Sequence, residues 1–261
     1  MDSLDVLGVD GARRRWLTIR LSGGTFSGAQ SFEKFGDLVR AFPTAAVIGV
    51  DIPIGLPARG RRKADLFARE KIRPLHNSVF FAPPRPALEA EHFADAVEIA
   101  RSLDSSLSQQ AFALRSKILE VLQTLAARPF EVGPRIVEVH PEVSFWAMNG
   151  KRPLSHPKKS WNGVMARLQL LRAHGVDLPS LIESVDKASA DDVLDAAAAA
   201  WSAWRVACGQ AQSLPDRPEV DQAGRPMAMV LTSPARVLPN LSSNSASLRA
   251  AIRWLAAHYR P

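Results

Sequence analysis

The residues best suited to chemistry are carboxylates that lie far apart in the chain but sit in similar places. Asp10 ends the apolar run LDVLGVD and Asp51 ends the apolar stretch AVIGVD. Asp191, Asp192 and Asp195 open an alanine-rich segment, and Glu138 lies within RIVEVHPEVSF. In open α/β sheets, ligand sites collect at the carboxyl ends of strands, so acids at two strand ends can converge. Asp192 and Asp195 are three apart and share one face of a helix. Carboxylates that face one another repel unless a cation sits among them. The expected catalytic set is therefore Asp10, Asp51, Glu138, Asp192 and Asp195. Asp10, Asp51, Asp192 and Asp195 are the expected ligands of Mg²⁺ or Mn²⁺, hard cations that take carboxylate, water and phosphate oxygens. Two such ions about 4 Å apart clamp the attacking and leaving oxygens of a phosphodiester.

Each acid also has a structural explanation. Asp191 or Asp192 suits the first turn of a helix, where free N–H groups and the dipole favour negative charge. Asp10 before Gly11 is an ordinary turn pair, and Asp51 before Ile52-Pro53 can fix a turn. His140 is either a proton carrier near neutrality or a hydrogen-bonded residue fixing the chain before Pro141. Ser78 near His76 lacks the G-x-S-x-G setting of a nucleophile elbow.

The elements that must carry these residues follow from hydrophobic periodicity. LDVLGVD, RWLTIRL and GTFSGAQS read as three strands, the last two joined at Ser22-Gly23-Gly24. Phe35, Leu38, Val39 and Phe42 have helical spacing, and AVIGVDIPIGLP reads as a buried strand broken by Pro53. Residues 57–103, rich in Pro, Arg and small residues, read as an excursion from the sheet, part helix and part loop. A helix is expected over Ser108–Ala127, a strand in RIVEVHPEVSF with a sharp exit at Pro141, helices over Val164–His174 and Ala190–Cys208, and a last strand at PMAMVLT. This order predicts one α/β domain over 1–261. Its mixed five-stranded sheet combines a three-strand antiparallel meander with parallel strands, and helices lie on both faces.

The 261 residues carry 33 Lys and Arg against 26 Asp and Glu, a formal charge of +7. That balance favours polyanionic partners, through counterion release from phosphates. Arg59, Arg61, Arg62 and Lys63 form one basic group. Lys151, Arg152, Lys158, Lys159, Arg167 and Arg172 form another, with no carboxylate between 151 and 172. A solvated surface gives the same pattern, so charge alone leaves both readings open. The single Cys208 excludes an internal disulfide and fits a cytoplasmic setting. No stretch approaches the roughly 18 apolar residues of a membrane span.

GVDGARRRW, VIGVDIPIGLP, NSVFFAPPR, EVHPEVSFWAMNG, KKSWNGVMAR and ADDVLDAAAAAWSA together resemble the domain of unknown function 429 family, over about residues 6–231. The resemblance implies a ribonuclease H-like fold with an inserted segment at about 57–103, and a metal-dependent nuclease activity on nucleic acid. DDVLDA is similar to the acidic helix of Holliday-junction resolvases, whose acids would correspond to Asp10, Asp51, Asp192 and Asp195. Glu138 follows the EVHPE motif instead. Arg69, Ser78, Arg85, His140, Lys158 and Lys159 are the substrate-contact candidates, with Gln109, Lys117 and Arg167 beside the same motifs. Two other readings remain open: an actin-like nucleotide phosphotransferase, and a non-catalytic ligand-binding protein on the same scaffold.

Overall fold

The computed structural model describes residues 4–12, 14–127, 133–185 and 187–232. Residues 233–261 of the expected single domain lie outside them. Strands β1 (Asp5–Asp10), β2 (Trp16–Ser22) and β3 (Thr25–Phe32) form the expected antiparallel meander. Strands β4 (Val47–Val50) and β5 (Arg135–Glu138) run parallel to β1. The order across the five-stranded sheet is β3-β2-β1-β4-β5.

Successive side chains of a strand point to opposite faces, and the sheet divides its apolar residues accordingly. Val6, Leu17, Ile19 and Val47 belong to one core cluster, with α7 (Pro141–Met148), α8 (Trp161–Ala173) and α9 (Ala190–Ala207). Leu7, Val9, Trp16, Ile48 and Val50 belong to the other, with α1 (Phe35–Ala41) and α6 (Arg115–Ala126). Helices therefore cover both faces, as expected.

The alanine-rich sequence of α9 has a steric reason. A Cβ on Gly8 would lie 2.0 Å from the backbone nitrogen of Ala200 and 2.1 Å from the carbonyl oxygen of Ala196. One on Gly49 would lie 2.8 Å from the carbonyl of Ala199. The helix backbone thus rests directly on the two central strands, a separation that larger side chains would prevent.

Several expected elements differ in extent. In RIVEVHPEVSF the strand pairs to Glu138 and the chain leaves at Pro141, where helix α7 begins rather than a loop. Proline suits that first position because its missing N–H would have no partner there, and its fixed φ is already helical. The helix expected over 108–127 is α5 (Gln109–Ala113) followed by α6, with the junction at Leu114. The strand at AVIGVDIPIGLP ends at Val50, and residues 51–56 form a largely buried loop. The excursion at 57–103 holds α2 (Lys63–Lys71), a 3₁₀ turn at Leu75–Ser78, α3 (Arg85–Glu89) and α4 (Phe93–Ser102). The last strand, β7 (Met229–Thr232), does not join the main sheet. It pairs with β6 (Ala211–Leu214), which periodicity did not disclose. Among the described residues, no helix is long and apolar enough to cross a membrane.

Candidate acidic site at the carboxyl end of the sheet

Strand parity decides which acids meet. Asp10 follows Val6 and Gly8 on the face that meets α9 and pairs across to Leu17 on that same face. Asp51, whose N–H donates to the carbonyl of Val9, has the parity of Val47 and Gly49. Both therefore point toward α9, where Asp195 lies buried one turn inside the helix start.

Asp195 is buried and Asp10 and Asp51 are half-buried, and the pKa of each is raised, for Asp10 and Asp51 well above the usual carboxylate range. Burial is the main cause for each. For Asp10, the charges of Asp51, Asp195 and Asp192 push further in the same direction. Asp51 is raised further by Asp195, Glu138 and Glu142. Burial outweighs the effect of Lys158 at Asp195. Lys158 is the cation that offsets all three. Its ammonium donates to Asp195 Oδ2 at 2.6 Å and lies 3.8 Å from Asp191. Burial opposes its charge, but Asp195, Asp51 and Asp10 hold it firmly protonated. From the other side, Lys117 of α6 packs its stem against Gly11 and its ammonium 4.1 Å above the Trp16 ring. That ammonium donates to the carbonyl of Arg15 at 2.7 Å. Burial lowers its pKa, against the pull of Glu120, Asp10 and Asp192.

Asp192 stands at the edge of the group. It completes a capping box in which Ser189 N–H donates to Asp192 Oδ2 and Asp192 N–H donates to Ser189 Oγ. Of the two acids at the helix start, this one does the capping, although its charge reaches Asp10.

Glu138 does not join the cluster. It has the parity of Ile136, on the opposite face of the sheet from Asp10 and Asp51. Its carboxylate accepts from Arg62 at 2.7 and 2.8 Å and from the N–H of Ile54 at 2.8 Å. Arg62 also binds Asp65 and the carbonyl of Gly55, and Asp65 accepts from the N–H of Ala82. This fully buried network ties the 51–56 loop and the start of the 57–103 segment to β5. No short-range sequence pattern announces it.

The substrate-contact candidates separate in the same way. His140 is at the site. Its Nε2–H donates to the carbonyl of Ser78 at 3.3 Å, which leaves Nδ1 a buried acceptor without a hydrogen-bond partner. Burial lowers its pKa despite the nearby charges of Glu142 and Asp195. Lys159 is exposed and 3.8 Å from Asp191. The Ser78 hydroxyl donates to the carbonyl of Leu75, and Arg69 donates to the carbonyls of His76 and Val79, so both shape the turn under His140. Arg85 pairs with Glu89 on the surface of α3. Arg167 is buried against Glu142 at 2.5 Å and braces α8 against α7. A cavity of about 230 Å³ lined by Thr18, Arg20, Gly28 and Phe42 opens on the other face of the sheet, away from the acids.

The family described as protein of unknown function (DUF429) matches residues 8–220. The chain belongs to that family. No curated protein and no solved structure matches. The DUF429 match takes in Asp10, Asp51, Lys158 and Asp195 alike.

A hard divalent cation suits the donor type here: one buried and two half-buried carboxylates whose mutual repulsion marks a deficit of positive charge. Their spacing is not that of a closed coordination shell. Among the described residues, no group of three or more His, Cys, Asp or Glu side chains is arranged to hold a metal ion. Lys158 supplies the charge instead, at Asp195.

Proposed function

We propose that this DUF429 protein is a metal-dependent phosphodiesterase acting on nucleic acid, with Asp10, Asp51 and Asp195 at its centre. The carrying observation is the convergence of three carboxylates from β1, the end of β4 and α9, Asp195 buried and Asp10 and Asp51 half-buried. Each has its pKa raised by desolvation and neighbouring charge. The sheet order β3-β2-β1-β4-β5 and the helices on both faces support a ribonuclease H-like assignment. A divalent ion bound there supplies Lewis acidity to a phosphoryl oxygen. Asp10 and Asp195 would hold it from different elements, with Asp51 adding negative charge beside them. Lys158 keeps Asp195 oriented and offers its ammonium to a phosphate oxygen. Neutral His140, with Nδ1 unpaired, would accept a proton from water as it attacks phosphorus. The oxygen released from the broken ester P–O bond would take its proton from solvent or the Lys158 ammonium. The positive balance of the chain favours a polyanionic substrate.

Titration calorimetry with Mn²⁺, on wild type and on Asp10→Asn and Asp195→Asn, tests the reading. Wild type is expected to bind, and each variant to bind at least about tenfold more weakly, a loss of about 1.4 kcal/mol. Hydrolysis of single-stranded, branched and hybrid substrates should follow the same order. Equal binding by all three proteins, or none by wild type, would overturn the metal site.

A further inference from the structure

Lys158 and Lys159 do not approach the acids on a free loop. The carbonyl of Pro157 accepts from the N–H of Ser160 at 3.0 Å and from its hydroxyl at 2.8 Å. Ser160 Oγ in turn accepts from the N–H of Gly163 at 3.1 Å. A Cβ on Gly163 would fall 1.9 Å from the Pro157 carbonyl, so only glycine lets this turn close. The unit 157–163 is thus a fixed bracket, with its two lysines turned to Asp191 and Asp195.

On the same bracket stands Trp161, the first residue of α8, with 76% of its surface in water. Phe67, the other aromatic among the large exposed side chains of the described residues, is half as open at 39%. Trp161 lies three residues from Lys158, so its Cα is within about 11 Å of the lysine that holds Asp195. Lys159 is 77% exposed at its side chain and pairs with Asp191 only loosely, at 3.8 Å. Such a surface pair is weak enough to exchange for another anion. An exposed aromatic face and a loosely paired ammonium, carried on a fixed backbone turn beside an acidic centre, match the two recurring parts of a nucleotide. Every base has a π-face for an aromatic ring, and its phosphate takes the cation. In a duplex those faces are stacked away, so only an unpaired base can use the ring.

We propose that Trp161 and Lys159 form a subsite for one unpaired nucleotide at the rim of the acidic cluster, with the base stacked on Trp161 and its phosphate on Lys159. This rests on the reading of the substrate as nucleic acid and adds that the strand must be single or locally opened. The turn that carries both residues is formed before binding, so only their two side chains need to be ordered.

Fluorescence anisotropy of a labelled short oligothymidylate tests it, with the full chain at low salt and EDTA present to prevent cleavage. Trp161→Ala is expected to weaken binding about ten- to a hundredfold, as for loss of one stacked base. Trp161→Phe should retain most of the affinity. Lys159→Ala should flatten the salt dependence by about 0.7 in log–log slope, one phosphate's worth on a single strand. Thermal melts coinciding with wild type show that the variants are folded, as expected for exposed positions. Unchanged affinity in Trp161→Ala would overturn the subsite. So would an equal loss for single strand and blunt duplex, conversion of a dimer to a monomer by Trp161→Ala, or no oligonucleotide binding by wild type. The Mn²⁺ titration reads the acids without any nucleic acid, so failure of the subsite leaves the metal-centre reading separately testable.

Discussion

Asp51 shows what it costs to keep this site. Its side chain is half-buried, and Asp195 adds to a pKa already raised by desolvation. A carboxyl whose folded pKa lies above its unfolded value of about 3.9 contributes stability below that value and loses it as pH rises through the folded pKa. Near neutrality the ionised cluster is therefore a net cost. Asp51→Asn, which keeps the shape and removes the charge, should raise stability at pH 7 by about 0.5–2 kcal/mol, with hydrolysis abolished. The gain should shrink as pH is lowered through the raised pKa, because wild type then carries the proton itself. Melting curves of both proteins across that range check the sign, and a variant less stable than wild type at pH 7 would contradict it. Saturating Mg²⁺ should close the gap by stabilising wild type through mass action. Asp10 and Asp51 were legible in the sequence because each ends an apolar strand. Glu138 misled because a strand's alternation is visible in sequence, but which of its faces meets a helix such as α9 is not.

Among the elements, the meander, β4, α8 and α9 follow from periodicity, which is strong where one face of a long segment is apolar. Helix α7 does not, because all eight of its residues are buried, Glu142 and Ser144 included, so it has no polar face to set a period. Strand β6 is four residues long and mostly half-exposed, too short and mixed to signal itself. The element contact on which the site most depends is that of α9 with β1, because it fixes Asp195 relative to Asp10. Gly8 has no room for a methyl group between Ala196 and Ala200. Gly8→Ala should therefore force the helix outward and cost about 3 kcal/mol or more, at the upper end for overpacked cores. Chemical denaturation reads the loss. The displaced Asp195 should weaken Mn²⁺ binding even at temperatures where the variant is folded. A Gly8→Ala protein with wild-type stability and metal affinity would show that the helix is not seated on the strand as described.

For the molecule as a whole, composition and charge indicated a basic α/β protein, but not how the 57–103 segment is attached to the sheet. That attachment runs through Arg62, which is buried together with Asp65 and Glu138. Burial disfavours the guanidinium charge, but Glu138 and Asp65 hold it protonated at any accessible pH. The same Arg62 reaches Gly55, and Glu138 reaches Ile54, so the loop leading out of Asp51 is fixed by the residues that anchor the segment. Removing one partner from such a network leaves the others as uncompensated buried charges, at a cost of about 3–5 kcal/mol. Arg62→Ala should lose that much stability, whereas removing an exposed pair such as Arg85–Glu89 should cost under about 1 kcal/mol. Because the network joins the segment to β5, wild type should unfold in one calorimetric transition. Arg62→Ala should broaden or split it as residues 57–103 detach before the sheet. Mn²⁺ affinity should fall in the same variant, since Asp51 loses the support of its loop. If Arg62→Ala melts within about 1 kcal/mol of wild type in a single sharp transition, the segment is held by its apolar contacts instead. Ala64, Ala68 and Val79 in the core cluster beneath α9 would then be the next positions to test.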